Sequence, residues 1–338
     1  MGFMFEIFSR IYSWLGWFRL QCYRLGIFSS RRLPVPVICV GDLVLGGSGK
    51  TPVVIYLAAH FQREGLRVAV LCSSPAAKDE VVLLERRLPG VIVLSGRNRF
   101  TLGRHAVEKL NADLLIMDGG FQHLGLTRDL NLVLITGDLF SPRQAAHQIL
   151  REPVSGIRRA NLCLLTKVKN GMEREVLETR IHQIAPELPV LQTKWSADGF
   201  FDERGKEVSI DAIRGKSVFG FAGIADGEGF LRQLEALGVH PVEKILFNDH
   251  HPYSLQDFKK ICDRARACGA EILATTEKDL VKISKFSIKQ GGPPLYAVRL
   301  RVELMPEAKI IFDLLKSSYA NPQKAKSSST ASSRFRVT

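Results

Sequence analysis

The densest chemical signal in the chain is the run Gly46-Gly47-Ser48-Gly49-Lys50-Thr51. It follows an apolar, β-branched stretch ending at Val40 and precedes apolar positions at Val53, Val54, Leu57, Ala58 and Phe61, so it reads as strand, glycine loop and helix. In that context backbone N–H groups converge on phosphate oxygens and the helix N-terminus adds partial positive charge. Lys50 reaches the outer phosphates, and Thr51 can offer its hydroxyl to Mg²⁺. The nucleotide-binding residues expected on this reading are Val44, Leu45, Gly46, Gly47, Ser48, Gly49, Lys50 and Thr51, with Lys50 also catalytic. The strict spacing has a glycine where this chain has Val44. A phosphate loop also needs a carboxylate from a neighbouring strand. Leu114-Leu115-Ile116-Met117-Asp118 supplies four apolar residues running into an aspartate, which makes Thr51 and Asp118 the expected metal pair.

The elements that must carry these residues are legible in the pattern. After Pro34, short runs rich in β-branched residues alternate with longer helix-like segments, the rhythm of parallel βαβ units. The expected fold class is α/β: a P-loop NTPase-like parallel-sheet domain, a second, smaller α/β domain and an N-terminal amphipathic membrane helix. Strands are predicted at Val35 to Val40, Arg67 to Leu71, Val91 to Leu94, Asp113 to Asp118, Leu130 to Ile135 and Asn161 to Thr166. A second series comprises Val218 to Ala222, Glu243 to Phe247, Glu271 to Ala274 and Leu295 to Val298, with helices near Gly227 to Leu237, Leu255 to Ala267 and Pro306 to Leu315. Trp195 to Arg214 reads as a small hairpin or linker. The domains expected are 1–33 for the interfacial helix, 34–195 for the nucleotide-binding domain, 196–316 for the smaller domain and 317–338 for a serine-rich tail with too little apolar content to pack.

Composition narrows the class. The 338 residues include 47 Lys and Arg against 34 Asp and Glu, a net charge of +13, with 46% hydrophobic and 24% charged residues. This excludes a disordered chain and a polytopic membrane protein, and the charge bears on partners and not on fold. The six cysteines contain no C-x-x-C pair, and several lie in apolar runs, as buried reduced thiols do. Near the N-terminus the longest charge-free run is Ile11 to Phe18, too short for a bilayer that needs roughly 20 residues. Trp14, Trp17, Phe18 and Tyr23 are types that settle at headgroup depth, and Arg19, Arg24, Arg31 and Arg32 can meet anionic phosphates. The alternative is an amphipathic helix that packs on the next domain. No guanine-reading N-K-x-D element is present, since Thr276-Glu277-Lys278-Asp279 has Thr and Glu before the Lys-Asp. No RNA-stacking aromatic motif is present either, so no nucleic acid partner is expected.

Several separated motifs together resemble the lipid A 4′-kinase (tetraacyldisaccharide 4′-kinase) family, from the N-terminal helix to about residue 315. The family's G-N-L-x-x-G-G-x-G-K-T-P is met by Gly41-Asp42-Leu43 through Pro52, D-D-G-F-Q-H by Asp118 to His123, and L-R-E-P-x-S-G-x-x-R-A by Leu150 to Ala160. Phe221 to Ala225, Asp249-His250 and Thr276 to Asp279 follow in the family order. The family's loop also lacks the first glycine, which accounts for Val44. The resemblance implies ATP and Mg²⁺, transfer of the γ-phosphoryl group to the 4′-hydroxyl of an acylated disaccharide 1-phosphate, and a monotopic position on the cytoplasmic face of the bacterial inner membrane. It also implies roles. Asp79, in Lys78-Asp79-Glu80 against the family's G-D-E, is the candidate base, and His250 assists it. Arg151 is a substrate-phosphate contact through its two-pronged guanidinium. His251 has no such match and reads as a surface polar residue.

The chain departs from the family at four places, one of them Lys78, where the G-D-E element has glycine. Gly119 stands where the family has the second aspartate of D-D-G. The S-R-G-Y-G segment is replaced by Ser73-Ser74-Pro75-Ala76-Ala77, without an arginine. Asp42 stands where the family prefers asparagine. Near phosphates a carboxylate would repel them, whereas turned into the turn backbone it would be harmless. The departures raise the alternative of a catalytically impaired relative that binds nucleotide or lipid at the membrane. The survival of Lys50, Thr51, Asp79, Asp118 and His250 favours a kinase.

Overall fold

The computed structural model describes residues 16, 18–44, 47–73, 78–140, 150–168, 170–290, 292–304, 311 and 313. The sequence readings at Trp14, Trp17, Leu45, Gly46, most of the segment after Ser73, the helix near residues 306–315 and the tail lie outside these residues. The chain divides into two compact units, one made of Met1–Ala76, Gly90–Lys194 and Leu304–Thr338, the other of Ala77–Pro89 and Trp195–Glu303.

In the first unit, seven strands pair in parallel in the order β3-β2-β4-β1-β5-β6-β7. They are β1 (Val37–Asp42), β2 (Val68–Ser73), β3 (Ile92–Gly96), β4 (Leu114–Asp118), β5 (Leu130–Thr136), β6 (Leu162–Thr166) and the start of β7 (Val190–Asp202). Residues 18–24 are helical and form α1; α2 (Lys50–Arg63), α4 (Arg99–Leu110) and α5 (Gly171–Ile184) complete the unit, α3 belonging to the other. Strand β1 is buried at every position, as expected of a strand covered on both faces in a parallel sheet. It begins at Val37, two residues later than predicted, because Pro36 has no N–H to donate, and its pairing with β5 runs on to Asp42.

The second unit holds α3 (Lys78–Arg87), the end of β7, β8 (Glu207–Val208), β9 (Val218–Ala222), α6 (Gly227–Ala236), β10 (Pro241–Leu246), α7 (Leu255–Ala267), β11 (Ile272–Thr276), α8 (Glu277–Gln290) and β12 (Leu295–Leu304). Its strands run β10-β9-β11-β12-β7, with β8 antiparallel to β7 as the hairpin expected near residue 200. The start of α7 is set by a capping box, Ser254 accepting from the Asp257 N–H while Asp257 accepts from that of Ser254.

Three features differ from the sequence expectation. Helix α5 was not predicted because only Leu177 and Ile181 are buried on a surface otherwise rich in Glu and Arg, so its apolar period is faint. Helix α8 begins inside the Thr276 to Asp279 motif, whose polar residues hide a helix start. The segment 77–89, expected within the nucleotide-binding domain, groups with the second unit; Glu277 of that unit bonds Arg87 at 2.6 and 2.7 Å.

The tightest backbone approach in the first unit is at Gly41, where an added Cβ would lie 2.4 Å from Phe121 Cβ and 2.8 Å from Phe121 N. Phe121 is fully buried, so neither group can yield cheaply. Gly41→Ala is expected to destabilise the protein by about 1–3 kcal/mol or more, read as a lower denaturant midpoint; an unchanged midpoint would refute this packing.

Candidate active site

Strand register places the first group of site residues. Val40 of β1 is level with Asp118 of β4, and the Gly119 N–H donates to the Val40 carbonyl at 2.9 Å. Asp118 therefore ends its strand beside the chain that becomes the phosphate loop. Gly49, in the left-handed region at φ +88°, turns that loop into α2. Thr51, in the first turn, donates from Oγ1 to Asp118 Oδ2 at 3.0 Å. Two buried residues brace the pair: Arg99 donates to the Asp118 carbonyl at 3.0 Å, and Thr166, at the end of β6, donates to the Ser48 carbonyl at 3.0 Å.

The loop lysine has an internal partner. Asp42 is only 1% exposed, and its carboxylate accepts from Lys50 Nζ and from the Ser48 hydroxyl. Arg151 Nε lies 3.5 Å from the other carboxylate oxygen and donates to the Val44 carbonyl at 3.2 Å. Asp42 thus turns neither to the bare turn backbone nor to open solvent; it serves as the counter-ion of Lys50 and Arg151. Arg151, expected to meet substrate phosphate, stands in this cluster with part of its guanidinium engaged.

Residues without an assigned role in the two motifs around Asp118 and Arg151 form the walls of this cluster. Gln122 donates to the Asp42 carbonyl at 2.7 Å and to Glu152 Oε1 at 2.8 Å. Glu152 is buried and pairs with Arg159, whose guanidinium lies 4.7 Å from the centre of the Phe121 ring. Arg128 donates to the carbonyls of Gly120, Phe121 and His123 at 3.3, 3.4 and 3.0 Å, fixing the turn after Asp118. Burial, with the charges of Arg99, Arg19 and Arg128, lowers the pKa of His123 to about 4, so this imidazole is neutral near pH 7. Sequence reasoning missed Arg99, Thr166 and the role of Gln122; Gln122 and Glu152 carried a signal, since both lie within quoted motifs.

In the second unit, Asp79 is half-buried in the first turn of α3, where the helix dipole favours a carboxylate. His250 follows β10 with its side chain 61% exposed and Nε2 4.0 Å from Asp249 Oδ2. Its backbone is left-handed at φ +59°, an uncommon conformation for a residue with a Cβ. Among the described residues, no hydrogen bond or ion pair joins Asp79 to His250. His251 is not the surface residue expected: it stacks on Phe247 at 4.4 Å, abuts Tyr253 edge-on, and its Nε2 lies 3.3 Å from Asp257.

The first-unit cluster fits Mg-ATP. A helix N-terminus, a loop lysine and an arginine face one concentration of anionic charge, and Thr51 with Asp118 offers a hydroxyl and a carboxylate. Among the described residues no cluster of three or more His, Cys, Asp or Glu could hold a metal. Mg²⁺ does not require one, because it keeps several waters and takes other ligands from substrate phosphates.

Two outcomes follow from these charges. Phosphate must replace Asp42 as the partner of Lys50, so Asp42→Asn is expected to lower the Kd for Mg-ATP by several-fold to about tenfold, a gain near 1.4 kcal/mol. Calorimetric titration checks this, and weaker binding would mean that the carboxylate organises the loop for nucleotide. As for His123, its folded pKa lies below the unfolded 6.5, so the unfolded chain takes up the proton first as the medium is acidified. The stability tied to the neutral ring is complete above about pH 6.5 and is lost as pH falls toward 4. Thermal melts of His123→Gln should therefore depend less on pH in that window than those of the wild type.

Comparison with known proteins shows the family. Residues 1–319 match the family described as tetraacyldisaccharide-1-P 4′-kinase. The chain is 35% identical over 317 residues to the tetraacyldisaccharide 4′-kinase of Anaeromyxobacter dehalogenans, covering 86% of this chain and 83% of that protein. It is 34% identical over 322 residues to the one of Desulfotalea psychrophila, covering 88% and 91%. The crystal structure of LpxK from Aquifex aeolicus in complex with ATP superposes with a TM-score of 0.71 at 30% identity, over 94% of this chain and 99% of that one. With the family matched over residues 1–319 of the chain, the chain belongs to the tetraacyldisaccharide-1-P 4′-kinase family.

Proposed function

We propose that this protein transfers the γ-phosphoryl group of ATP to the 4′-hydroxyl of a tetraacyldisaccharide 1-phosphate, a step of lipid A biosynthesis. The observation that carries the reading is the cluster of Lys50, Thr51, Asp118 and Asp42 at the phosphate loop of a chain in this family. Phosphoryl transfer asks a protein for positioning and charge neutralisation more than for covalent chemistry. The loop N–H groups and Lys50 hold the phosphates, and Thr51 with Asp118 holds Mg²⁺. When bound, that ion neutralises charge on the transferring group. Arg151, released from Asp42, meets a phosphate. Asp79 takes the proton of the acceptor hydroxyl, with His250 assisting. The Thr51–Asp118 contact and the placement of Lys50 at the start of α2 favour this reading over a catalytically impaired relative.

The enzyme works at the cytoplasmic face of the bacterial inner membrane as a monotopic protein, with an acylated glycolipid as its partner. In support, Phe18, Leu25, Ile27 and Phe28 are exposed by 52%, 74%, 65% and 48% beside Arg19, Arg24, Arg31 and Arg32, the mixture that binds an anionic interface. Among the described residues no helix is long and apolar enough to cross a membrane. The same helical segment borders the loop cluster, for a Cβ at Gly16 would lie 2.8 Å from the Arg151 carbonyl oxygen.

The test is single-turnover transfer of labelled γ-phosphate from Mg-ATP to a tetraacyldisaccharide 1-phosphate in detergent micelles. Wild type should label the lipid, and Lys50→Ala should slow it about a hundredfold or more. Gly119→Asp should be faster than wild type. Position 119 is left-handed at φ +71°, a conformation aspartate tolerates, and an added Cβ would lie 3.8 Å from Lys50 Cε in ordinary contact. ATP binding without labelled lipid from wild type would overturn the kinase reading.

A further inference from the structure

The Thr276 to Asp279 run opens α8, and each of its side chains reaches a different neighbour. Thr276 Oγ1 donates to Asp279 Oδ2 at 2.8 Å and accepts the Asp279 N–H at 3.1 Å, closing the helix start. Asp279 is fully buried and also accepts the Gly223 N–H at 2.8 Å. The Gly223 carbonyl in turn accepts the His250 N–H at 3.1 Å, so the left-handed backbone of His250 is secured through Asp279. Glu277 accepts from Arg87, in the last turn of α3, and from the Leu300 N–H at 3.0 Å. It anchors the C-terminal end of the helix whose first turn carries Asp79 and Glu80.

Lys278 reaches that first turn. Its Nζ is 3.6 Å from Glu80 Oε1 and 3.2 Å from His250 Nε2. An ammonium has three donors and no acceptor, so Nε2 must be the acceptor in this contact, and the ring's proton sits on Nδ1. We propose that Lys278 is a positioning residue which, held by Glu80, fixes the His250 imidazole as the Nδ1–H tautomer and ties it to the helix that carries Asp79. An otherwise exposed imidazole could rotate freely and exchange tautomers. The lysine leaves it one orientation, with Nδ1–H as the donor free for a carboxylate or substrate oxygen.

The kinetic consequence rests on the kinase reading above; the tautomer does not. The charged groups facing His250 are Lys278 from α8, Asp249 from its own loop and, through Lys278, Glu80 from α3.

The experiment compares wild type, Lys278→Met and Lys278→Arg as full chains in detergent micelles. Long-range ¹H–¹⁵N spectra of the histidine-labelled protein, with His250 assigned by its loss in His250→Gln, should show Nδ1 protonated in wild type and Lys278→Arg. Lys278→Met should show the two neutral tautomers mixed. A wild-type ring protonated on Nε2, or an identical ring in Lys278→Met, would overturn the proposal whether or not the protein transfers phosphate. In the transfer assay, Lys278→Met should lower kcat about tenfold to a hundredfold, the lower range for a general acid–base group, with KM for Mg-ATP within about twofold. In a His250→Ala background the same substitution should have no further effect; an equal loss there would mean that Lys278 acts elsewhere.

Discussion

A phosphate loop concentrates positive charge, and in this chain that charge is met from within by the buried carboxylate of Asp42. Removed from water, such a carboxylate is costly unless it is paired and hydrogen-bonded. Lys50, Ser48 and Arg151 supply the partners, so the loop, the end of β1 and the segment around Arg151 are held to one arrangement. Gln122 extends the constraint by bonding both the Asp42 carbonyl and Glu152. Lys50 is thus a paired cation and not an open one.

The metal side of the site depends on strand register in place of charge. Val40 and Asp118 are level and Gly119 bonds back to Val40, which sets Asp118 where Thr51 meets it. The pair stands in a chain that has Gly119 where the family has its second aspartate. Around it the cations Arg99 and Arg128 bond backbone carbonyls, and with burial they keep His123 uncharged.

The second unit uses acids as fasteners. Glu277 holds α3 by Arg87, and Asp279 holds Gly223 and through it His250. Burial raises the pKa of Glu277 while Arg87 opposes that shift, the balance expected of a buried ion pair whose remaining lone pairs are satisfied. Such pairs add little net stability but leave few alternative packings, which suits a unit that must present two separate side chains.

The sequence by itself determined the α/β class, the phosphate loop at Gly46 to Thr51, the carboxylate at the end of β4 and the family, because these depend on local periodicity and on residue types at short spacing. Gly119 and Asp42 were also visible as departures. Tertiary structure alone decided what Asp42 does, since its partners Lys50 and Arg151 are separated from it by 8 and 109 positions and pattern carries no information about where a side chain finds its counter-ion. It alone assigned residues 77–89 to the second unit and brought Lys278 to His250 across 28 residues. It also showed His251 packed against the rings of Phe247 and Tyr253, where the missing family match had suggested a surface residue. Charge pairing and burial are settled by long-range packing, in which the nearest neighbours in space are seldom neighbours in the chain.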